Sequence, residues 1–157
     1  MLSGLIKTRE VIEMVVQFND ILDVDKVYYL ASPYSHPLED LMNARYEAVN
    51  EAGASLCQRG FILIEPIAMC HTKSLKYNIP TGYEYWKTRD RKFISISGGI
   101  IVLMLPGWKE SIGVSDEVAY AKELGLDIIY IPAPSILSDA TITNILMLER
   151  QAVVGVK

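Results

Sequence analysis

The sequence predicts a three-layer α/β domain with a central parallel sheet, and three observations lead to this prediction. Short apolar segments alternate with longer amphipathic segments, which is the pattern of strands and helices around a parallel sheet. The apolar run at residues 100–105 is bounded by Gly-Gly and Pro-Gly pairs, as expected for a strand buried on both faces. The chain has 157 residues, enough for one domain with a sizeable core.

The predicted elements follow one another from residue 27 onward. The strands share short runs of branched and aromatic side chains, and they cover residues 27–31, 61–64, 100–105 and 127–131. The helices share apolar positions at helical spacing, and they cover residues 37–59, 82–97, 112–124 and 138–152. Residues 65–80, which carry Cys70 and His71, are predicted to form a long, irregular loop. Loops of that length in compact domains are often functional.

A further amphipathic helix is predicted before the first strand, at residues 5–21. This helix lies outside the alternation of strands and helices. We therefore predict an N-terminal helical extension at residues 1–25 and an α/β domain at residues 26–157. The extension is expected to pack on the flank of the domain or on a second subunit.

The composition narrows the class of protein. The net charge of −4 argues against a nucleic acid polymer as partner, because binding its phosphates requires a basic surface. Two cysteines, Cys57 and Cys70, fit a reduced, cytoplasmic interior better than a disulfide framework. No apolar run reaches the ~18 residues of a membrane span, and Glu13 interrupts the only leader-like segment. We expect a soluble cytoplasmic protein that binds no membrane.

Three predicted loops end at the carboxyl edge of the sheet, where open parallel sheets bind their ligands. They comprise residues 32–36, 65–68 and 106–114. Two acidic residues on the neighbouring helices, Asp90 and Glu117, occupy positions that otherwise face the core. The stripe that includes Glu117 consists of Val114, Val118, Ala121 and Leu124, and the one that includes Asp90 consists of Trp86 and Phe93 or Ile94.

A pair of buried carboxylates suits glycosidic chemistry, because one can attack the anomeric carbon while the other orients the substrate or moves a proton. Each residue also has a structural interpretation. Asp90 can form a salt bridge with Arg89 or Arg91. Glu117 can interact with the dipole of its helix near the N-terminal end.

The first loop and the loop before Glu117 suggest weaker candidates for phosphate binding. Arg45 lies two turns into a helix whose N-terminal amides point outward, and Ser111 directly precedes another helix. A surface position for Arg45 and an N-cap role for Ser111 are the structural alternatives. Among the aromatic residues, Tyr34 and Trp108 lie in the edge loops and are candidates for stacking on a base.

The only two histidines, His36 and His71, match no zinc motif together with Cys70 and Glu65, so no metal is expected. The sequence contains no Gly-rich phosphate-binding fingerprint.

Several motifs together resemble the nucleoside 2-deoxyribosyltransferase superfamily, over residues 27–131. They are VYYLASPYS at the first strand, the W-x3-D spacing of Trp86 and Asp90, and the segment LPGWKESIGVSDEVAYA. The pattern S-x-G-V-x-x-E-x-x-x-A within the last segment is the most specific. The chain looks most like the small bacterial and phage members, to which 2′-deoxynucleoside 5′-phosphate N-hydrolases and CMP N-glycosidases are related.

The resemblance implies a flavodoxin-like variant of the Rossmann fold that cleaves the N-glycosidic bond of a nucleoside or nucleotide. Glu117 matches the nucleophile that attacks C1′, and Asp90 matches the acid that assists at the sugar and base. The residues expected to bind substrate are Ser32, Tyr34, Arg45, Trp86, Trp108, Ser111 and Gly113. The resemblance implies no cofactor. It does imply a homodimer or a larger homo-oligomer.

Two loops depart from the superfamily. SPYSHP replaces the glycine-rich first loop of the hydrolases, and GWKE at residues 107–110 replaces a shorter acidic segment of the transferases. The base, the sugar, the need for a 5′-phosphate and the choice between hydrolysis and transfer therefore stay open. A non-catalytic nucleotide-binding module of the same fold and a flavin-binding protein are the alternatives.

Overall fold

The computed structural model describes Phe18 and residues 20–155. This part of the chain is an α/β domain with a four-stranded, all-parallel sheet, which confirms the predicted fold class. Its strands are β1 (Val27–Ala31), β2 (Ile62–Ile64), β3 (Gly99–Met104) and β4 (Asp127–Pro132). Its helices are α1 (Glu39–Gln58), α2 (Pro66–Tyr77), α3 (Tyr83–Ser95), α4 (Ile112–Glu123) and α5 (Asp139–Val154). The predicted helix at residues 5–21 falls almost entirely outside the described residues.

The strand order is β2-β1-β3-β4, so the chain moves outward from β1 to β2 and then crosses to the opposite side of β1. Tyr29 in β1 is aligned with Ile64 on one side and with Ile100 on the other. The order therefore reverses between β1 and β3, as in flavodoxin-like sheets. The carboxyl ends of these two strands flank the crevice where such sheets bind ligands.

Alternating side chains of the strands divide the interior into two cores. We call the side covered by α1 and α5 the first face, where Tyr28 and Leu30 of β1 point. The second face is covered by α3 and α4, and it receives Tyr29 and Ala31. Because successive strand residues point to opposite sides, one short strand supplies both cores. The result is the predicted three-layer architecture.

The prediction of an irregular loop at residues 65–80 is wrong, because twelve of these residues form helix α2. Pro66 begins the helix, where its fixed φ and missing N–H are tolerated. Asn78 ends it in the left-handed conformation, with φ of 53°. The buried side of α2 consists of Pro66, Cys70, His71 and Ser74, so it lacks the apolar periodicity that marks a helix in sequence.

Two smaller predictions also need correction. Helix α1 begins at Glu39, two residues later than predicted, and Leu38 is its N-cap. His36 Nδ1 accepts a hydrogen bond from the Leu38 N–H at 3.0 Å, so it stabilises the turn before the helix. Leu124, predicted to face the sheet, is 43% exposed, because α4 ends at Glu123.

No helix in the described ranges combines the length and the apolar character needed to cross a bilayer.

Candidate functional site

A cavity of about 620 Å³ lies at the carboxyl edge of the sheet, beside the point where the strand order reverses. Its wall includes residues of all three predicted edge loops and of helix α3. Both predicted catalytic residues, Asp90 and Glu117, line it. Six of the predicted substrate-binding residues also line it, namely Ser32, Tyr34, Arg45, Trp86, Ser111 and Gly113.

Trp108 does not line this cavity, contrary to the prediction. It lines a smaller hollow on the other side of its loop. Its ring packs against Tyr130 of β4, with 5.6 Å between the ring centroids, and it contributes to the core of the second face. A loop aromatic that looks exposed in sequence is thus used for packing.

Glu117 is buried in the second face, only 6% exposed, at the sixth position of α4. The hydroxyl of Tyr29 in β1 donates a hydrogen bond of 2.6 Å to Glu117 Oε1. Burial raises the pKa of Glu117 to about 8; the Tyr29 hydrogen bond lowers it, and the nearby Asp90 and Asp116 carboxylates raise it. Glu117 is therefore mostly uncharged at pH 7.

Asp90 is likewise 6% exposed, on α3. Arg89 Nε lies 3.6 Å from Asp90 Oδ1, so the structural interpretation of a salt bridge to Arg89 also holds. The bridge is loose, however, and Oδ1 accepts no hydrogen bond from any described residue. Burial raises the pKa of Asp90 to about 6, against the opposing effect of Arg89. A buried, ionisable oxygen without a donor is costly to maintain unless a ligand satisfies it.

Arg91, the other predicted partner of Asp90, instead forms a two-pronged ion pair with Asp116 of α4. Its Nη2 lies 2.7 Å from Oδ1 and its Nε 3.1 Å from Oδ2. The Tyr83 hydroxyl donates to the same carboxylate. Because Asp116 precedes Glu117, this network fixes α3 against the turn of α4 that bears Glu117.

The first loop is held in place by a small aromatic cluster. The Tyr34 hydroxyl and His71 Nδ1 are 2.7 Å apart, and the Tyr46 ring stacks on the His71 imidazole with 4.2 Å between centroids. Burial lowers the pKa of His71, which favours the neutral imidazole, and its Nδ1 shares a hydrogen bond with the Tyr34 hydroxyl. The Ser35 hydroxyl donates to the Thr81 carbonyl at 2.6 Å, which ties this loop to the one before α3.

Ser111 caps α4, since its hydroxyl accepts a hydrogen bond from the Val114 N–H at 3.3 Å. This confirms the structural alternative for Ser111. Gly113 lies in the same turn against the Tyr83 ring, where a Cβ would approach to 3.1 Å. A side chain at residue 113 would require the Tyr83 ring to shift by a few tenths of an ångström.

The cavity lining also includes residues outside the predicted site, among them Tyr29, Cys70, Tyr83 and Arg89. The Arg89 guanidinium stacks on the Trp86 ring at 4.6 Å and donates to Cys70 Sγ. Trp86 is itself fixed by a 2.7 Å hydrogen bond from its indole N–H to the Pro80 carbonyl. The signal for Tyr29 was present in the alternation of β1, where it and Tyr28 must point to opposite faces. The contact of Arg89 with Cys70 depended on helix α2, which was not predicted.

The arrangement offers two carboxyl groups of different charge on one wall. At pH 7 Asp90 is mostly ionised and accepts hydrogen bonds, while Glu117 is mostly protonated until a neighbouring positive charge favours its carboxylate. Within the described ranges, no three His, Cys, Asp or Glu side chains are grouped so that they could hold a metal ion.

Residues 26–131 match the family model described as "Domain of unknown function (DUF1937)". The match covers more than half of the chain, so the protein belongs to this family. None of the curated proteins matches the chain.

Proposed function

We propose that this member of the DUF1937 family cleaves the N-glycosidic bond of a nucleoside or nucleoside 5′-monophosphate, with Glu117 as the nucleophile. The observation that carries the proposal is the pair of buried carboxyl groups, Glu117 and Asp90, on one wall of a cavity at the switch point of the sheet. Packing alone does not call for either group, because a buried carboxylate lowers stability unless it is paired. The motifs shared with the nucleoside 2-deoxyribosyltransferase superfamily give these two positions the same roles.

In the proposed reaction Glu117 first releases its proton to solvent, and its carboxylate oxygen then attacks C1′ of the sugar. The C1′–N bond breaks with its electron pair left on the base, which takes up a proton, and a bond from C1′ to Glu117 forms. Water, or a second base, then attacks C1′ and releases Glu117. Positive charge that develops on the sugar ring favours the ionised form of Glu117 at the moment of attack. Tyr29 holds its carboxylate in place.

Asp90 is proposed to hold the substrate and to pass a proton to the departing base. Its Oδ1 lacks a donor among the described residues, and a hydroxyl or N–H group of the substrate would supply one. Its pKa near 6 leaves both protonation states accessible around neutral pH. The cavity volume of about 620 Å³ is within the range of small-molecule sites.

Chromatographic detection of free base tests the proposal. Nucleosides and their 5′-monophosphates are incubated with the wild type, Glu117→Gln, Asp90→Asn and the control Glu123→Gln, which removes an exposed carboxylate of the same helix. We expect wild type and Glu123→Gln to release base at similar rates. Glu117→Gln should fall by at least ~10³-fold and Asp90→Asn by ~10²-fold. Equal rates in wild type and Glu117→Gln would refute the proposed mechanism.

The uncharged state of Glu117 favours a second candidate, a nucleotide-binding module that uses Glu117 only as a hydrogen-bond donor. Such a protein would bind nucleotides without releasing base, and its affinity would survive Glu117→Gln. The same panel, combined with calorimetric titration, separates the two functions.

A homodimer belongs to the same proposal, because the resemblance implies one. Light scattering after size-exclusion chromatography tests it, and a monomeric mass that persists at micromolar concentration would contradict it.

A further inference from the structure

The guanidinium of Arg45 lies at the cavity wall, but its charge is already balanced. Arg45 is 7% exposed. Its Nη2 pairs with Glu149 Oε1 of α5 at 3.3 Å. Its Nη1 donates to the carbonyls of Tyr34 at 3.2 Å and Ser35 at 3.4 Å. Arg45 Nε is buried and makes no hydrogen bond within the described part of the chain. The arginine thus holds the first loop and α5 together, and both of its terminal nitrogens already have partners.

The backbone at Gly107 leaves room for the ion pair of Arg45 and Glu149. The loop between β3 and α4 passes over both side chains at Gly107, whose φ is +87°. A Cβ at this position would lie 3.1 Å from Arg45 Nη2 and 3.1 Å from Glu149 Oε1. A side chain there would be strained by the backbone conformation and crowded by the ion pair. Gly107 thus lets the loop close on the pair, in which the Arg45 side chain is 8% exposed and the Glu149 side chain 27%.

Two other groups that could bind phosphate, at the starts of α4 and α1, are engaged within the protein. The Ser111 hydroxyl caps α4. His36 Nδ1 accepts the N–H of Leu38 at the start of α1. Neither helix N-terminus therefore presents its usual combination of free amides and a free side chain.

The remaining charges of the cavity wall are unfavourable to an anion. Among the described residues, Glu84 and Glu110 line the cavity without an ion pair. The second guanidinium on the wall, Arg89, is the partner of Asp90. A phosphate dianion would therefore meet two guanidinium groups that already face carboxylates, while the two exposed glutamates add negative charge around it. A neutral sugar hydroxyl meets no such penalty.

We propose that Glu149 determines substrate specificity by neutralising Arg45, so that the cavity accepts nucleosides with a free 5′-hydroxyl and rejects their 5′-monophosphates. This inference rests on the proposed function for the class of ligand. It narrows that class through a residue of α5, which lies outside the span of the family match.

Calorimetric titration of matched ligand pairs tests the inference independently of catalysis. Each nucleoside and its 5′-monophosphate is titrated into the wild type, Glu149→Gln, Arg45→Gln/Glu149→Gln and the control Glu123→Gln. For the wild type and the control, we expect the nucleoside to bind at least tenfold more tightly than its monophosphate. Glu149→Gln leaves the charge of Arg45 unpaired, so the ratio of the two dissociation constants should shift at least tenfold toward the monophosphate. The double variant lacks the freed cation and should return to the wild-type preference.

Tighter binding of the monophosphate by the wild type would overturn the inference, and so would binding of neither ligand. An unchanged ratio in a folded Glu149→Gln would overturn the role of Glu149, and circular dichroism verifies the fold. If Glu149→Gln does not fold, Glu149→Ala replaces it in the same titrations, with the same expected shift toward the monophosphate. Selective binding of nucleosides without release of base would leave this inference standing and refute only the proposed cleavage.

Discussion

The two faces of the sheet are built from the same strands but differ in what they bury. The first face packs apolar side chains of β1, β3 and β4 against α1 and α5. The second face has a smaller apolar core, and next to it α3 and α4 bury two carboxyl groups, Asp90 and Glu117. The first face therefore accounts for most of the stabilising burial, whereas the second face carries the groups suited to chemistry.

Neighbouring tyrosines in β1 show this difference at the scale of one residue. Tyr28 points to the first face, and its hydroxyl accepts the N–H of Asp23 at 2.9 Å. Tyr29 points to the second face, and its hydroxyl donates to Glu117. Both rings are almost fully buried. The tyrosine hydroxyl thus binds a loop backbone on the first face, whereas on the second face it stabilises a candidate nucleophile.

The largest expected effect is a loss of stability, without a loss of activity, when the core of the first face is changed. Leu103→Ala removes a side chain that is 1% exposed in the first-face core. Lost transfer free energy and the resulting void should lower the free energy of unfolding by about 2–5 kcal/mol. The rate of base release per folded molecule should stay at the wild-type value. Urea denaturation and rate measurements below the unfolding transition check both expectations, and a large loss of rate in the folded variant would contradict the division of roles.

A matched pair of tyrosine variants sharpens the comparison. Tyr29→Phe removes the hydrogen bond that favours the Glu117 carboxylate, so the pKa of Glu117 should rise further. We expect kcat/KM at pH 7 to fall about tenfold or more, the cost of losing a hydrogen bond to a charged group. The rising limb of the pH–rate profile should move to higher pH. Tyr28→Phe should leave the profile unchanged, and a similar shift in both variants would refute a specific role for Tyr29.

The pH dependence of stability gives a smaller effect. Folding raises the pKa of Glu117 from 4.5 to about 8, so the folded protein holds more protons than the unfolded chain between these values. The free energy of unfolding should therefore fall as the pH rises from about 5 to 8. Over this interval the unfolded chain releases the Glu117 proton freely, whereas the folded protein must either keep the proton or bury a charge. Asp90 acts in the same direction at lower pH, up to about 6.

Glu117→Gln cannot ionise, so its unfolding free energy should fall less over the same interval. We expect the two proteins to diverge by at least ~1.4 kcal/mol between pH 5 and pH 8, the equivalent of one pKa unit. Denaturant titrations at both pH values measure the difference. Parallel pH dependence in the two proteins would show that Glu117 is not the group that titrates.

The local sequence pattern is sufficient to predict most helices and strands, because the signals for these elements lie within a few residues of one another. Periodicity alone reveals the apolar run of β3 and the acidic residue of α4, Glu117, at a position that otherwise faces the core. Helix α2 was missed because its buried side includes Cys70, His71 and Ser74, whose burial depends on contacts with other elements. Pro66 and Asn78, which bound the helix, were available signals.

The details of the site depend on contacts that sequence spacing does not encode. The ion pair of Arg45 and Glu149 joins positions 104 residues apart, and no local pattern links them. Trp108 was assigned to the cavity because its loop reaches the correct edge of the sheet, but the loop turns its ring toward Tyr130. Sequence reasoning thus located the edge that holds the cavity and its two acids, while the side-chain partners required the three-dimensional fold.

The most direct test of the central claim is a search for a covalent bond between Glu117 and the sugar. The protein is mixed with the nucleoside found to be cleaved, quenched in acid within the first turnover, and digested for mass spectrometry of the peptides. The account predicts a peptide containing Glu117 whose mass is increased by one sugar residue, and the absence of this species in Glu117→Gln. Release of base by the wild type with no modified Glu117 peptide at any quench time, or a modification on another residue, would contradict it.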